Sequence, residues 1–141
     1  MTSFTFTVPG SPQGKGSARI VKTKTGMRGI PHAKSRSYEE KVSVFARAAI
    51  VKAQIPYPIR CLVTIDILAQ FASETEPEGA PYSKMPDWDN LAKCVCDGLG
   101  LYKLLYNDKL IVEGRVRKQY AREDRVVVTV HLLLEKPLDP S

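Results

Sequence analysis

Hydrophobic residues alternate with threonines near the start of the chain, where Thr5 and Thr7 separate Phe4, Phe6 and Val8. A period of two belongs to a strand with one buried face, and Pro9-Gly10 ends it. The next regular pattern opens at Ser37. There Ser37-x-x-Glu40 has the form of a capping box, and Val42, Phe45, Ala46, Ala49 and Ile50 recur at helical spacing until Pro56 and Pro58 close the helix. Residues 60–71, rich in β-branched and apolar side chains, predict a second strand. Residues 72–85 contain Glu74, Glu76, Pro77, Glu78, Gly79 and Pro81 and predict a solvated loop. From residue 88 to 99, helical spacing sorts Leu91, Cys94, Val95, Gly98 and Leu99 to one side. Asp89, Lys93 and Asp97 fall on the other. Two further strands follow at 111–120 and 125–135, joined by a turn around Glu123-Asp124. The order β-α-β-α-β-β predicts an α+β fold, one sheet with two helices.

Composition narrows this to one domain over residues 1–141, since 141 residues at 43% hydrophobic content support one core but not two. Charge adds a region that the hydrophobic pattern leaves blank. No acid precedes Glu39, whereas Lys15, Arg19, Lys22, Lys24, Arg28, Lys34 and Arg36 do. Setting those seven aside from the 21 basic residues leaves 14 against 15 acids, so the net charge of +6 belongs to one arm at about 10–36. That arm also holds Gly14, Gly16, Gly26 and Gly29, and is expected to be mobile unless a polyanion such as DNA orders it. The plainer alternative is a solvated basic loop. Farther on, Arg115 and Arg117 share one strand face and Lys118 lies on the other, giving either more DNA contacts or a solvated sheet edge. His32 lies in the arm and His131 in a strand; neither belongs to a nucleophile or metal motif.

Three cysteines, Cys61, Cys94 and Cys96, are an odd number without zinc-knuckle spacing or a secretory leader. They read as small buried residues in a reducing, cytoplasmic setting. No stretch predicts a membrane span.

The chemistry concentrates in Asp87-Trp88-Asp89-Asn90-Leu91-Ala92-Lys93, followed by Asn107-Asp108. In extended backbone Asp87 and Asp89 point to one side, and Lys93 lies one helical turn beyond Asp89. Two carboxylates with a nearby ammonium can hold Mg²⁺ against a phosphate, because magnesium takes oxygen ligands and keeps several waters. Simpler roles exist for each residue. Asp87 or Asp89 can cap the helix, Asp89 and Lys93 can form a surface pair, and Asp97 can balance Lys93.

Pro86-Asp87-Trp88-Asp89-Asn90-Leu91-Ala92-Lys93, Asp97-Gly98-Leu99 and Asn107-Asp108 before Ile111-Val112 resemble the signature of the RusA-type Holliday junction resolvases, phage and prophage endonucleases. Phe6-Thr7-Val8-Pro9-Gly10-Ser11-Pro12, Lys15-Gly16 and Ser37-Tyr38-Glu39-Glu40 are similar to that family's N-terminal half. The resemblance implies a homodimeric, Mg²⁺-dependent enzyme, with Mn²⁺ as a possible substitute. Such an enzyme nicks two strands of a four-way DNA junction symmetrically, in recombination and repair within a bacterial host. It assigns metal binding to Asp87, Asp89 and Asp108 and the catalytic lysine to Lys93. Many relatives carry paired acids where this chain has Asn107-Asp108, which leaves the ligand set intact if Asp108 is the ligand and leaves the role of Asn107 open. Two rival readings stand beside it: a non-catalytic basic DNA-binding protein of a phage, and a Mg²⁺ phosphatase built on the D-x-D pair.

Overall fold

The structure, a computed structural model, describes residues 2–16, 19–24, 26–30 and 33–134; for 19–23 and 27–30 it describes the backbone. Among the described residues six strands and two helices follow in the order β1 (Ser3–Pro9), β2 (Arg19–Thr23), β3 (Gly26–Ile30), α1 (Ala33–Lys52), β4 (Leu62–Ala72), α2 (Trp88–Gly100), β5 (Ile111–Ala121) and β6 (Arg125–Leu133). The main sheet has the order β1-β6-β4-β5. β6 pairs antiparallel with β1 and β4, and β4 pairs parallel with β5. A parallel pair needs a crossover, and α2 supplies it. This places the end of β4, the loop of residues 73–87, α2 and the start of β5 in one continuous path.

Alternation decides which face of the sheet is dry. Phe4, Phe6 and Val8 of β1 are buried, as are the alternate residues from Val63 to Phe71 of β4 and from Val126 to Leu132 of β6. Against them pack Val42, Ala46 and Ile50 of α1 and the stripe Leu91, Cys94, Val95 and Leu99 of α2. The fold is thus two layers, α on β, as the α+β pattern predicts. The other sheet face carries Thr5, Thr129, Asp66 and Gln70, and no helix covers it among the described residues.

Three features depart from the sequence reading. The basic arm contains a β-hairpin, β2 paired with β3 from Arg19↔Ile30 to Thr23↔Gly26. Ile20, Val21 and Thr23 favour strand, and Gly26 adopts φ 133° at the turn. Backbone pairing of this kind needs no apolar periodicity, which is why the pattern missed it. Next, α1 starts at Ala33, so Ser37 lies within the helix rather than at its cap. The residue used at this end is buried Ser35, whose hydroxyl donates to Gly14 O (3.2 Å) and accepts from Gly16 N (2.6 Å). Finally, a single 3₁₀ turn, Asp108–Leu110, precedes β5, and the Asn107 side chain caps it by accepting from Lys109 N at 2.9 Å.

The helices approach each other closely at Gly98. A Cβ there would lie 2.7 Å from Val42 Cβ and Cγ1 and 3.0 Å from Glu39 O, in fully packed surroundings. Gly98→Ala is therefore expected to destabilise the protein by about 1–3 kcal/mol, the usual cost of overpacking, despite the better helix propensity of alanine. A thermal melt reads this directly. An unchanged or raised midpoint would show that the helices separate freely.

Candidate active site

Asp87 occupies the N-cap position of α2 with extended backbone (φ −68°, ψ 152°), and its carbonyl accepts from Leu91 N at 3.0 Å. Its side chain makes no capping hydrogen bond. The simplest alternative for this residue, a helix cap, is therefore not what the carboxylate does. Asp89 lies in the first turn and Lys93 one turn further, both exposed. Among the described residues no hydrogen bond or ion pair engages the side chains of Asp87, Asp89, Lys93 or Asp108.

Neighbouring charges are treated differently. Lys15 Nζ lies 2.8 Å from buried Glu39 and 3.0 Å from Asp97. Burial lowers the pKa of Lys15, but the bonds to the two carboxylates outweigh it and hold the pKa above the ordinary lysine value. Lys15, expected on DNA, thus ties α1 to α2 here, and Asp97, expected to balance Lys93, pairs with Lys15 instead. Sequence spacing along one helix could not reveal a partner delivered from another segment. The delivery is concrete: Lys15 N donates to Asn90 O at 3.0 Å, and a Cβ on Gly14 would sit 2.7 Å from Pro86 Cβ and 3.3 Å from Asn90 Cβ. The root of the basic arm is wedged against the first turn of α2.

Arg115 donates to Asp66 Oδ2 at 2.7 Å, and Arg117 lies 3.6 Å from Asp66 Oδ1, all three on the uncovered sheet face. The hydrogen bond from Arg115 holds the Asp66 carboxyl below its ordinary range, against the opposing effect of burial. Lys118, on the opposite alternation, turns toward the helix layer. Its Nζ donates to Lys84 O (2.7 Å) and Pro86 O (2.9 Å) above the Tyr82 ring, 5.6 Å from the ring centroid. Tyr82 stacks on Phe71 at 3.6 Å and donates its hydroxyl to Met85 O at 3.1 Å. The peptide leading into Asp87 is therefore fastened from below by Lys118. Nothing in the strand pattern distinguishes such a lysine from a solvated one.

Asp108 arrives from the 3₁₀ turn along the flank of α2. Its charge, with that of Asp97, adds to burial in pushing the Cys96 thiol up to about 11, and all three residues line one cleft. Burial likewise raises Cys94 to about 12. Both thiols stay protonated at neutral pH; Cys94 lies in the core and Cys96 packs against it.

Cys96 is seven residues beyond Asp89, roughly two turns or 10 Å along the helix. Asp87 and Asp89 thus stand at the start of α2, Lys93 follows one turn beyond Asp89, and Asp108 borders the cleft that Cys96 lines. Among the described residues no three His, Cys, Asp or Glu side chains converge closely enough to hold a metal. The donor chemistry nevertheless suits a hard cation: exposed carboxylates without protein partners, next to a free ammonium.

The other predicted DNA contacts are distributed as follows. Lys24 and Lys34 are exposed, and exposed Arg36 lies 3.8 Å from Glu40. Arg19, Lys22 and Arg28 belong to the hairpin strands, and His32 lies outside the described residues. The model of a family described as Endodeoxyribonuclease RusA matches residues 9–131, from the end of β1 to within β6. No curated protein matches the chain.

Proposed function

The chain belongs to the RusA family of endodeoxyribonucleases, and we propose that it resolves four-way DNA junctions by paired, symmetric nicking with Mg²⁺, in recombination and repair. The observation that supports the reading is that the motif's four charged side chains are exposed and uncommitted. Lys15, Asp66, Asp97, Arg115 and Lys118 are all engaged, while the side chains of Asp87, Asp89, Lys93 and Asp108 make no hydrogen bond or ion pair among the described residues. Four charged side chains left uncommitted on and beside α2 are available to a cation and a phosphate.

Asp87 and Asp89 would hold the cation at the start of α2, with Asp108 completing its surroundings. Bound there, Mg²⁺, or Mn²⁺ in its place, would lower the pKa of a water and neutralise charge on the phosphate. Lys93, on the same flank, is placed to stabilise charge on the non-bridging phosphoryl oxygens as the P–O bond breaks. Water supplies the oxygen of the new phosphate group, and the departing strand oxygen takes up a proton. A two-fold dimer would present two such flanks to two equivalent strands, which matches isologous assembly to a symmetric substrate. The hairpin, rooted at Asn90, would carry Arg19, Lys22, Lys24 and Arg28 to the arms of that DNA. A phage or prophage origin and action in the host cytoplasm complete the proposal. Among the described residues no helix is long and apolar enough to cross a membrane.

The test is cleavage of a synthetic four-way junction with and without Mg²⁺, beside a linear duplex of equal length. Symmetric paired nicks that need the metal support the reading. Junction binding without cleavage at any Mg²⁺ or Mn²⁺ concentration favours a binding-only protein.

Lys118 offers a second measurement. Lys118→Met keeps the stem but removes both bonds to the loop before Asp87. Single-turnover cleavage is expected to fall about 10–100-fold, the usual cost of losing a group that orients a metal ligand. Junction affinity and its salt dependence should hardly change. Had Lys118 contacted a phosphate instead, the log–log salt slope would drop by about one.

A further inference from the structure

Trp88 is the only tryptophan in the chain, and it stands between Asp87 and Asp89 with 65% of its surface exposed. Tryptophan is normally among the more buried side chains, so this exposure needs a reason. Helical spacing sharpens the point. Trp88 lies three and seven residues before Leu91 and Val95, on the line that continues the buried stripe of α2. Leu91 and Val95 have no exposed surface, whereas Trp88 projects beyond the edge of the core. No ring contact or cation–π partner engages it among the described residues. Met85, three residues earlier on the loop fastened by Lys118, is 80% exposed and extends the same apolar corner.

That corner is where the DNA-directed features meet. The uncommitted carboxylates flank the indole in sequence, Lys93 lies five residues on, and the basic arm leaves from Gly14 and Lys15, packed on Pro86 and Asn90. A phosphate approaching Asp87 and Asp89 brings its own nucleotides within reach of the residue between them. Within an unbroken duplex both faces of a base are covered by neighbours. At the exchange point of a four-way junction stacking is interrupted, and an aromatic ring can take the place of a missing neighbour.

Resting on the resolvase reading, we propose that Trp88 is a base-stacking residue that recognises the unstacked nucleotide beside the scissile phosphate and so biases cleavage toward branch points. It makes the site selective for a disrupted stack, a property that the carboxylates and Lys93, which act on the backbone, cannot supply.

Because no other indole is present, fluorescence reports on this residue alone. In metal-free buffer, titration with a four-way junction is expected to quench and shift Trp88 emission, and an uninterrupted duplex of equal length should do so far less. Gel shift on the same samples monitors binding independently. Trp88→Ala should slow junction cleavage roughly 5- to 150-fold, the range for one base stacked on an aromatic ring. Trp88→Phe should recover most of the rate. Bound junction with unaltered emission, an equal response to bound duplex, or a Trp88→Ala variant of full rate and unchanged preference for junctions would overturn the assignment. A chain that binds junctions and shows the branch-specific quench but never cleaves would keep the assignment and overturn the resolvase reading. Absence of any junction binding would overturn both.

Discussion

Asp89→Asn and Asp87→Asn are each expected to lower junction cleavage by at least about 10³-fold while leaving the protein folded and bound to DNA. The folding half follows from the structure. Both carboxylates are exposed, neither caps the helix nor pairs with a base, and surface substitutions of this kind usually stay within about 0.5 kcal/mol. The catalytic half follows from charge. Metal stabilisation of a phosphoryl transition state is worth several kcal/mol, and each 1.4 kcal/mol is tenfold in rate. Replacing a carboxylate by an amide removes the charge that holds the cation at nearly constant shape. It also removes repulsion toward DNA phosphates, so junction affinity should hold or rise. Circular dichroism, a thermal melt and a gel shift check the first half, and single-turnover cleavage the second. Full cleavage by either variant at ordinary Mg²⁺ would show that the pair only decorates the helix start.

How much of this was legible beforehand depends on whether a feature is local. The alternation Phe4-Thr5-Phe6-Thr7-Val8 and the stripe Leu91, Cys94, Val95, Gly98, Leu99 follow from side-chain period alone, and the buried residues of β1 and α2 match them. The resemblance carried by Asp87 to Lys93 and by Asn107-Asp108 is borne out by the family match over residues 9–131. What sequence could not supply is partnership between distant segments. Glu39 and Asp97 come together around Lys15, Asp66 holds Arg115, and Lys118 reaches two loop carbonyls. Each of these side chains looks like ordinary surface charge when read singly. Sorting basic residues into paired and free ones needed the fold. So did the hairpin, whose cross-strand backbone pairing leaves no apolar period behind.

Lys93 and Asp108 provide the sharper test, because both are exposed, both lie along the flank of α2, and they are assigned different work. An ammonium cannot bind Mg²⁺, so Lys93→Ala should leave the metal concentration for half-maximal cleavage nearly unchanged. Its rate at saturating metal should fall on the order of 10²–10³-fold, as for loss of one preorganised donor to a developing oxyanion. Lys93→Arg is not expected to restore it, since a planar guanidinium spreads the charge that a compact ammonium concentrates. Asp108→Asn should behave in the opposite sense. It comes from the 3₁₀ turn before β5 and not from the initial pair, so its loss is expected to raise the Mg²⁺ requirement and to be partly recovered by more metal. The same substitution removes one of the two carboxylates that, after burial, help to raise the Cys96 pKa, so that thiol should titrate below its parent value of about 11. This shift is a readout independent of catalysis, and it shows whether Asp108 occupies the place described along α2. Metal titrations that coincide for the two variants would remove the distinction between charge stabilisation and ligation. A Cys96 titration unmoved by Asp108→Asn would show that the two side chains do not interact.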